Sequence, residues 1–343
     1  MRIGKRLIDG AVWSFSAKVI ALLAGLFTTT LLTRMLPLPE MGVYFLAASV
    51  IKISSVVGQF GLGRVGVRRV SEALARSGVE MAARIGMSTI RIGLLGAMLV
   101  ALLIHQLIIP WAAQTMPAAA GLEQVRNPVT LMIIAAALVA IVSQVQRGFH
   151  NMRMSSLFGG AVGPVLVVLS YVAILQLGVP ISLGLVMLVT ATVGVFTAVL
   201  AFTFLYPQLR GYRQVEPVKT RQLIEDAWPF WVASIGSLVI GQSDIWIVAA
   251  ARSPDEVANY GAAVRLLVLA ALPTAVVTST VQSTVSDLHA RGQSGKIERV
   301  LRMSNIFATL PTVAILVAIV SLPGSWMGVG LGERHRNGAG GLA

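Results

Sequence analysis

The chain has 343 residues, of which 56% are apolar and 12% are charged, and its mean hydropathy is +0.80. Soluble domains carry about a quarter charged residues, so this composition excludes a soluble globular protein. The absence of cysteine excludes disulfides and thiolate metal sites, and the four histidines are too scattered to suggest another metal centre. We find no motif of enzyme chemistry, and we expect neither an enzyme nor a cofactor.

Nine apolar runs predict an all-α polytopic membrane protein. Each run has about 20 residues or more, which is enough for a helix to cross the hydrocarbon core of a bilayer. In chain order they cover approximately residues 11–36, 42–63, 84–109, 129–149, 157–177, 181–206, 227–251, 257–285 and 297–322. Prolines stand at or beside most of the joints, as expected where helices end.

The first run follows a basic N-terminus, as a cleaved signal peptide would. It is longer than the apolar core of a signal peptide, about 7 to 15 residues, and further spans follow it. We therefore predict a first membrane helix, with cleavage as the alternative.

Lysine and arginine concentrate in every second loop. The basic segments are the N-terminus and the second, fourth, sixth and eighth loops, which hold Arg2, Lys5, Arg6, Arg64, Arg68, Arg69, Arg76, Arg84, Arg147, Arg153, Arg210, Arg213, Lys219, Arg221, Arg291, Lys296, Arg299 and Arg302. Positive loops stay in the cytoplasm, so we predict a membrane protein with a cytoplasmic N-terminus. This dispersed charge also accounts for the net charge of +13 without nucleic acid as a partner.

Residues 61–66, Gly-Leu-Gly-Arg-Val-Gly, match the fingerprint of dinucleotide-binding loops. That loop needs a preceding strand and a later acidic residue, whereas here a membrane helix precedes and arginines follow. We interpret the segment as a flexible helix end at the cytoplasmic surface.

The first three runs recur later in the chain. Glu40 and Tyr44 have counterparts in Glu256 and Tyr260, an offset of 216 residues (256 − 40). The basic loop that ends at residues 71–76 matches residues 286–291, and Trp111 matches Trp326, each with a register slip of one residue. This pattern predicts a transporter of two like halves, related by an axis along the membrane normal.

The repeat also predicts the division of the chain. We expect a first six-helix bundle at residues 1–206, a cytoplasmic linker at 207–226, and an incomplete second bundle at 227–343. By this logic roughly three helices are missing. Either the chain is a truncated or frameshifted fragment, which is the preferred explanation, or it evolved without them.

Several segments resemble one transporter family. They are Trp13-Ser14-Phe15, residues 32–37 with 40–44, Gln59-Phe60-Gly61-Leu62-Gly63, Tyr260-Gly261-Ala262-Ala263 after Asp244, and residues 332–340. The chain resembles the polysaccharide exporters and O-antigen flippases of the multidrug/oligosaccharidyl-lipid/polysaccharide flippase superfamily. The resemblance covers nearly the whole chain but rests on loose, apolar motifs. Members of the family usually have twelve or more membrane-spanning helices in two bundles. This chain departs from that pattern, because only nine spans are predicted.

The resemblance implies a flippase that moves a lipid-linked glycan, of the polyprenyl diphosphate type, across the inner membrane by alternating access. Membrane lipids and a coupling ion, proton or sodium, are the other partners expected. One alternative is a drug or small-metabolite antiporter of the same superfamily, for which acids should outnumber cations in the cavity. The other alternative is an inactive truncated membrane fragment.

Charged residues inside the apolar runs are the candidate site, because each costs several kcal/mol unless it meets water, a partner or a substrate. Lys52 is expected near the midplane. Arg265 corresponds through the repeat to Ser49, three positions from Lys52, so we expect the two cations to face each other and bind the substrate diphosphate. Lys18 and Arg91 are further candidates, although their side chains are close enough to the cytoplasmic end to reach headgroups.

Asp244 is the only acidic residue deep in any predicted span. We expect it at a depth similar to that of Arg265, either as a coupling-ion gate or as a buried ion pair that fixes the packing. Five glutamines in or near the spans either bind sugars or join helices: Gln59, Gln144, Gln146, Gln242 and Gln282.

Overall fold

The computed structural model describes residues 2–210, 220–270, 274 and 294–321. Every regular element in these ranges is helical, which confirms the predicted all-α class. Contacts divide the chain into two units, Met1–Leu31 with Met35–Asn259, and Leu32–Arg34 with Tyr260–Ala343.

Twelve α-helices are described: α1 Arg2–Met35, α2 Leu38–Gly58, α3 Leu62–Arg76, α4 Val79–Leu103, α5 Ile109–Thr115, α6 Arg126–Gly148, α7 Met152–Ser156, α8 Val162–Leu177, α9 Leu183–Leu205, α10 Thr220–Ala251, α11 Pro254–Ala270 and α12 Ser294–Ser321. A π-helical turn joins α4 to α5 at Ile104–Ile108, and another joins α7 to α8 at Leu157–Ala161. Short 3₁₀ helices precede α6 (Pro117–Val125) and follow α9 (Tyr206–Leu209).

Seven of the described helical stretches are long and apolar enough to cross a membrane: Val12–Met35, Leu38–Gly58, Val79–Thr115, Pro117–Gly148, Met152–Leu177, Leu183–Leu209 and Arg221–Ala251. They confirm the first seven predicted spans and a multi-pass membrane protein. The helices α11 and α12 lie where the eighth and ninth spans are predicted, but residues 271–273 and 275–293 lie outside the described residues. The eighth span therefore stays a prediction over its second part.

The helical hairpins support the predicted repeat. The first helix of the chain ends at Met35 and the next begins at Leu38. Helix α10 ends at Ala251 and α11 begins at Pro254, so both boundaries recur at the same offset of 216 (251 − 35 and 254 − 38). This register matches the one found between the glutamate and tyrosine pairs in the sequence.

Helix α6 lies at the centre of the first unit, where it packs against α2, α3, α4 and α9. Ile141, Val142 and Val145 of α6 meet Ile90 of α4 and Leu205 of α9 in one buried cluster. These buried side chains form the apolar core of the bundle.

Helices α2 and α4 approach each other closely because both carry glycine at the crossing. A Cβ atom on Gly58 would lie 2.7 Å from the Cα of Ala97, and one on Gly96 would lie 2.4 Å from the Gly58 carbonyl oxygen. Small residues permit this approach in membrane helices, where dispersion between backbones replaces the hydrophobic effect as the driving force.

Residues 62–76, predicted as a basic loop, form helix α3, so the interpretation of a flexible segment was wrong. Leu62, Val65, Val70 and Ala73 are buried on one face. Their spacing of three to five residues is that of an amphipathic helix, with the arginines largely on the opposite face. The helix packs on α4, α6 and α10.

The spans have two distinct ends. We call the basic end the side where α2, α6 and α9 finish and α4, α7 and α10 begin; there Ser71 of α3 donates a hydrogen bond of 2.9 Å to the carbonyl oxygen of Gly148. At the far end, where α2 and α9 begin, Glu40 Oε2 accepts a hydrogen bond of 2.9 Å from the backbone N–H of Leu183. This carboxylate satisfies a free amide at the start of α9 and favourably meets the positive end of its dipole.

Candidate functional site

Lys52 lies on α2 with its side chain exposed, while its neighbours Val50, Ile51 and Ser54 are buried against the bundle. The helix begins at Leu38 and ends at Gly58, so six residues separate Lys52 from the basic end. This corresponds to about 9 Å at 1.5 Å per residue, which is nearer that end than the predicted midplane position. The difference arises because α2 starts and stops four to five residues before its predicted limits.

Arg265 lies within α11, and its side chain is outside the described part of the structure. Its repeat counterpart Ser49 is buried on α2 and accepts a hydrogen bond of 2.9 Å from the indole Nε1 of Trp246 on α10. Because Lys52 follows Ser49 by three positions, Lys52 lies beside the line along which α2 meets α10. The expected juxtaposition of Lys52 and Arg265 stays a prediction.

Arg91 is exposed on α4 and shares its helix face with Leu95 and Met98, which are 67% and 47% exposed. A face that carries large exposed apolar side chains suits contact with lipid, so its arrangement favours the headgroup role for Arg91. Lys18 is exposed on α1, where Phe15 one turn away is also exposed. Lys18 and Arg91 thus lie on α1 and α4, and neither belongs to the helices α2 and α10.

Asp244 is half-buried on α10, seven residues before the helix ends at Ala251. Trp246, two residues further on, reaches α2. Asp244 therefore lies on the part of α10 that contacts α2. Its predicted partner Arg265 lies outside the described side chains, and their ion pair stays a prediction.

An apolar groove of about 400 Å³ runs along α2 and α10. Its lining residues are Ile53, Val57, Ile235, Leu238, Val239, Gln242, Ser243, Trp246, Ile247 and Ala250. Eight of the ten are apolar, so the groove suits hydrocarbon better than sugar. Gln242, one of the glutamines considered for sugar binding, has few polar neighbours in this lining.

Among the other glutamines, Gln146 is fully buried and its Nε2 donates a hydrogen bond of 3.1 Å to the carbonyl oxygen of Ala201 on α9. It joins two helices and therefore has a packing role. Gln59 Nε2 donates at 2.9 Å to the carbonyl oxygen of Ser55 in its own helix. Gln282 lies outside the described residues.

The structure has an ion-pair cluster at the basic end that was not predicted from the sequence. Asp226 Oδ2 of α10 accepts from Arg69 Nε of α3 at 2.8 Å and from a second nitrogen of the same guanidinium, and Arg68 Nη2 lies 3.7 Å away. Arg68 and Arg69 also lie 3.6 and 3.9 Å from Glu72. Arg69 and Asp226 are 157 residues apart, so no local pattern links them.

Aromatic side chains reinforce the same contact. The rings of Phe60, Trp228 and Trp231 lie with centroids 4.7 to 6.0 Å apart. The indole Nε1 of Trp231 donates at 2.9 Å to the carbonyl oxygen of Val57. We call these three rings, together with the Arg68–Arg69–Asp226 cluster, the basic-end clasp.

Gly61 allows the clasp to form. Its φ of +71° lies in the left-handed region, and a Cβ atom there would stand 2.4 Å from the carbonyl oxygen of Ala227 on α10. The glycine of the dinucleotide-like motif is therefore required for a sharp turn between α2 and α3 and for the close approach of α10.

The sequence profile of a family described as "Polysaccharide biosynthesis protein" matches residues 7–285. No curated protein matches the chain. The matched region covers most of the chain, including every helix that contributes to the clasp and the groove.

Solved transporter structures share the fold. An inward-facing multidrug resistance MATE family transporter of the MOP superfamily is 14% identical, with a TM-score of 0.70 over 96% of this chain and 78% of that chain. MATE in complex with MaL6 is 14% identical, with a TM-score of 0.65 over 95% and 74%. A MOP superfamily transporter from Pyrococcus furiosus Vc1 (DSM3638) is 15% identical, with a TM-score of 0.58 over 93% and 71%.

Both comparisons agree with the architecture described above, and family and fold together point to a transporter rather than to an enzyme. The expectation of a polysaccharide exporter or flippase with this fold is confirmed, and the chain belongs to the polysaccharide biosynthesis protein family.

Proposed function

We propose that this protein carries a lipid-linked oligosaccharide or polysaccharide precursor from the cytoplasmic to the outer leaflet of the bacterial inner membrane, with its own N-terminus in the cytoplasm. The observation that carries this proposal is an exposed cation, Lys52, on a membrane-spanning helix of a chain that matches the polysaccharide biosynthesis family.

The substrate class follows from the charge. A polyprenyl diphosphate concentrates negative charge, and taking it from water into a membrane cavity requires opposite charges to replace its hydration. Lys52 supplies one, and Arg265 supplies a second if the predicted repeat holds for its side chain. A drug antiporter, the other function considered, would instead need acids in excess of cations.

Alternating access is the transport mode that the two-bundle fold supports. We infer that Asp244 takes part in coupling to a proton or sodium ion, because carboxylates within membrane spans are rare and mark ion pathways and proton relays. Its position within about two turns of the end of α10 suits a group that an opening motion would expose.

The test uses cells that lack their own exporter and express this protein. Surface glycan and lipid-linked precursor are quantified for the unchanged protein, for Lys52→Ala and for the charge-preserving Lys52→Arg. We expect export in the first and third and precursor accumulation in the second, at equal membrane abundance.

In the same cells, efflux of a cationic fluorescent drug is measured to test the antiporter alternative. Drug efflux without any glycan export would overturn the proposal. So would undiminished export by Lys52→Ala, because no cavity cation would then be needed at that position.

A further inference from the structure

The guanidinium pair of the basic-end clasp has the chemistry of a phosphate site. Arg69 Nε lies 2.8 Å and Arg68 Nη2 lies 3.7 Å from the same oxygen, Oδ2 of Asp226. Planar guanidiniums that converge on one anionic oxygen are the arrangement by which proteins bind phosphate groups. The aspartate carboxylate thus occupies a position that fits a phosphate oxygen.

The net charge of this cluster favours a ligand with more negative charge than the single carboxylate of Asp226. Arg64 lies one helical turn before Arg68 on the exposed face of α3. The guanidiniums of Arg68 and Arg69 stand near two carboxylates, Glu72 and Asp226, and Arg64 adds a third guanidinium one turn away on the same helix. The local sum is +1, and a diphosphate that replaces the single charge of Asp226 brings two or more charges to the same arginines.

The cluster is also accessible. The side chains of Arg68 and Arg69 are 51% and 38% exposed, whereas that of Asp226 is 27% exposed. Exposed ion pairs are weak because water screens them, so an incoming anion with more charge can replace the carboxylate. A substrate whose head group lies at the basic end meets these arginines before it reaches Lys52 inside α2.

We propose that Arg64, Arg68 and Arg69 form an entry site for the diphosphate of the substrate, and that Asp226 fills this site until the substrate displaces it. The inference rests on the proposed function for its substrate class. Displacement of Asp226 removes the ionic part of the clasp and leaves α10 held by the rings at Phe60 and by the apolar contacts of Leu62 and Val65 with Leu223 and Ala227.

Release of α10 connects the site to transport. Under the predicted repeat α10 opens the second copy, while α2 and α3 belong to the first. A contact between the two copies at the basic end must separate whenever the cavity opens on that side. Substrate arrival would therefore weaken the contact that closes its own entrance.

The experiment measures the distance between α3 and α10 in nanodiscs of neutral phosphatidylcholine. Spin labels are attached at Ala75→Cys and Gln222→Cys, both exposed, and label only these sites because the chain has no other cysteine. Farnesyl diphosphate is the probe, and inorganic diphosphate and farnesol are the comparison ligands. Distance distributions are recorded by pulsed electron paramagnetic resonance.

We expect farnesyl diphosphate to shift the distribution to longer distances and Asp226→Asn to give the same shift without ligand. Arg68→Gln should raise the half-saturating concentration about tenfold, since it removes a charged hydrogen bond to the ligand. Arg69→Gln also breaks the ion pair with Asp226, so it should lengthen the distance without ligand, as Asp226→Asn does, and leave little further response. Arg76→Gln, at the exposed C-terminus of α3, is the matched control and should leave the half-saturating concentration unchanged.

The comparison ligands identify what is recognised. A shift with inorganic diphosphate as well assigns recognition to the diphosphate, and a shift with the farnesyl compound alone assigns it to the lipid-borne diphosphate. Both results support the site.

Three results would overturn the entry site: no shift at saturating farnesyl diphosphate, a shift with farnesol, or an unchanged response after both arginines are replaced. Glycan export in cells separates this failure from failure of the proposed function. Normal export by Arg68→Gln with Arg69→Gln defeats the entry site and leaves the flippase intact, whereas a diphosphate-dependent shift in a protein that exports no glycan supports the site and defeats the flippase.

Discussion

Single charged residues were predictable where they stand out against apolar sequence. Lys52 is identified from its place in an apolar run, and the structure has it exposed on α2 beside the contact with α10. Asp226 was missed, although the clasp depends on it, because a polar residue near a predicted linker carries no signal. Its partners are known only once α3 and α10 are brought together, 157 residues apart in sequence.

Variants of Asp244 test whether this residue has a coupling role or a packing role. We predict that Asp244→Asn leaves the protein folded and abundant but impairs transport, because a carboxylate that binds a coupling ion contributes little to packing. Combining it with Arg265→Gln should restore nothing. Abundance and export are measured for both single variants and the double variant.

The opposite pattern identifies a structural ion pair. In that case each single variant leaves a buried unpaired charge and loses about 3 to 5 kcal/mol of stability. The double variant then recovers both abundance and export, and the gate reading of Asp244 is refuted.

At the level of helices, most spans were predictable because about 20 consecutive apolar residues have few other uses. Helix α3 was not, since the arginines after Gly63 indicated a basic loop, although Leu62, Val65 and Val70 have the spacing of an amphipathic helix. The π-helical turn at Ile104–Ile108 also has no sequence signature. Its geometry depends on neighbours in space, such as the contact of 2.9 Å between His105 Nδ1 and the hydroxyl of Thr130 on α6.

The turn between α2 and α3 supplies a prediction of its own. Gly61→Ala places a Cβ 2.4 Å from the Ala227 carbonyl oxygen and also strains a φ of +71°. Gly178→Ala has similar strain, with φ of +63°, but its Cβ meets nothing within 4 Å. We expect the control to lose about 1 kcal/mol and Gly61→Ala distinctly more.

Thermal unfolding in detergent, followed by tryptophan fluorescence, checks this difference. Trp228 and Trp231, two of the six tryptophans, lie within the clasp, so part of the emission change comes from its separation. Equal losses of stability in the two variants would show that α10 does not depend on the glycine.

For the whole molecule, alternating basic loops predict which side of the membrane each end faces. Ser77 follows α3 at the basic end, and Ala120 lies in the 3₁₀ helix before α6 at the far end; both are exposed. A cysteine at Ser77 should be shielded from an impermeant thiol reagent in intact cells, and one at Ala120 should react. Ser77 is preferred to Gly78, whose φ of +94° suits only glycine.

Breaking the cells provides the control, because both cysteines should then react. Reaction at Ser77 in intact cells would reverse the orientation and place the basic end outside. The clasp would then lie on the exit side of the transport path, and the entry site would be withdrawn.

Transbilayer movement of a lipid-linked glycan is the central claim, and reconstitution tests it most directly. Liposomes containing the protein and a fluorescent glycan on a polyprenyl diphosphate are treated with an impermeant reagent that destroys only outward-facing fluorophores. Active protein should expose the inner half of the label, Lys52→Arg should do so as well, and Lys52→Ala should match protein-free liposomes. Protein that leaves the inner half protected in every variant would contradict the account.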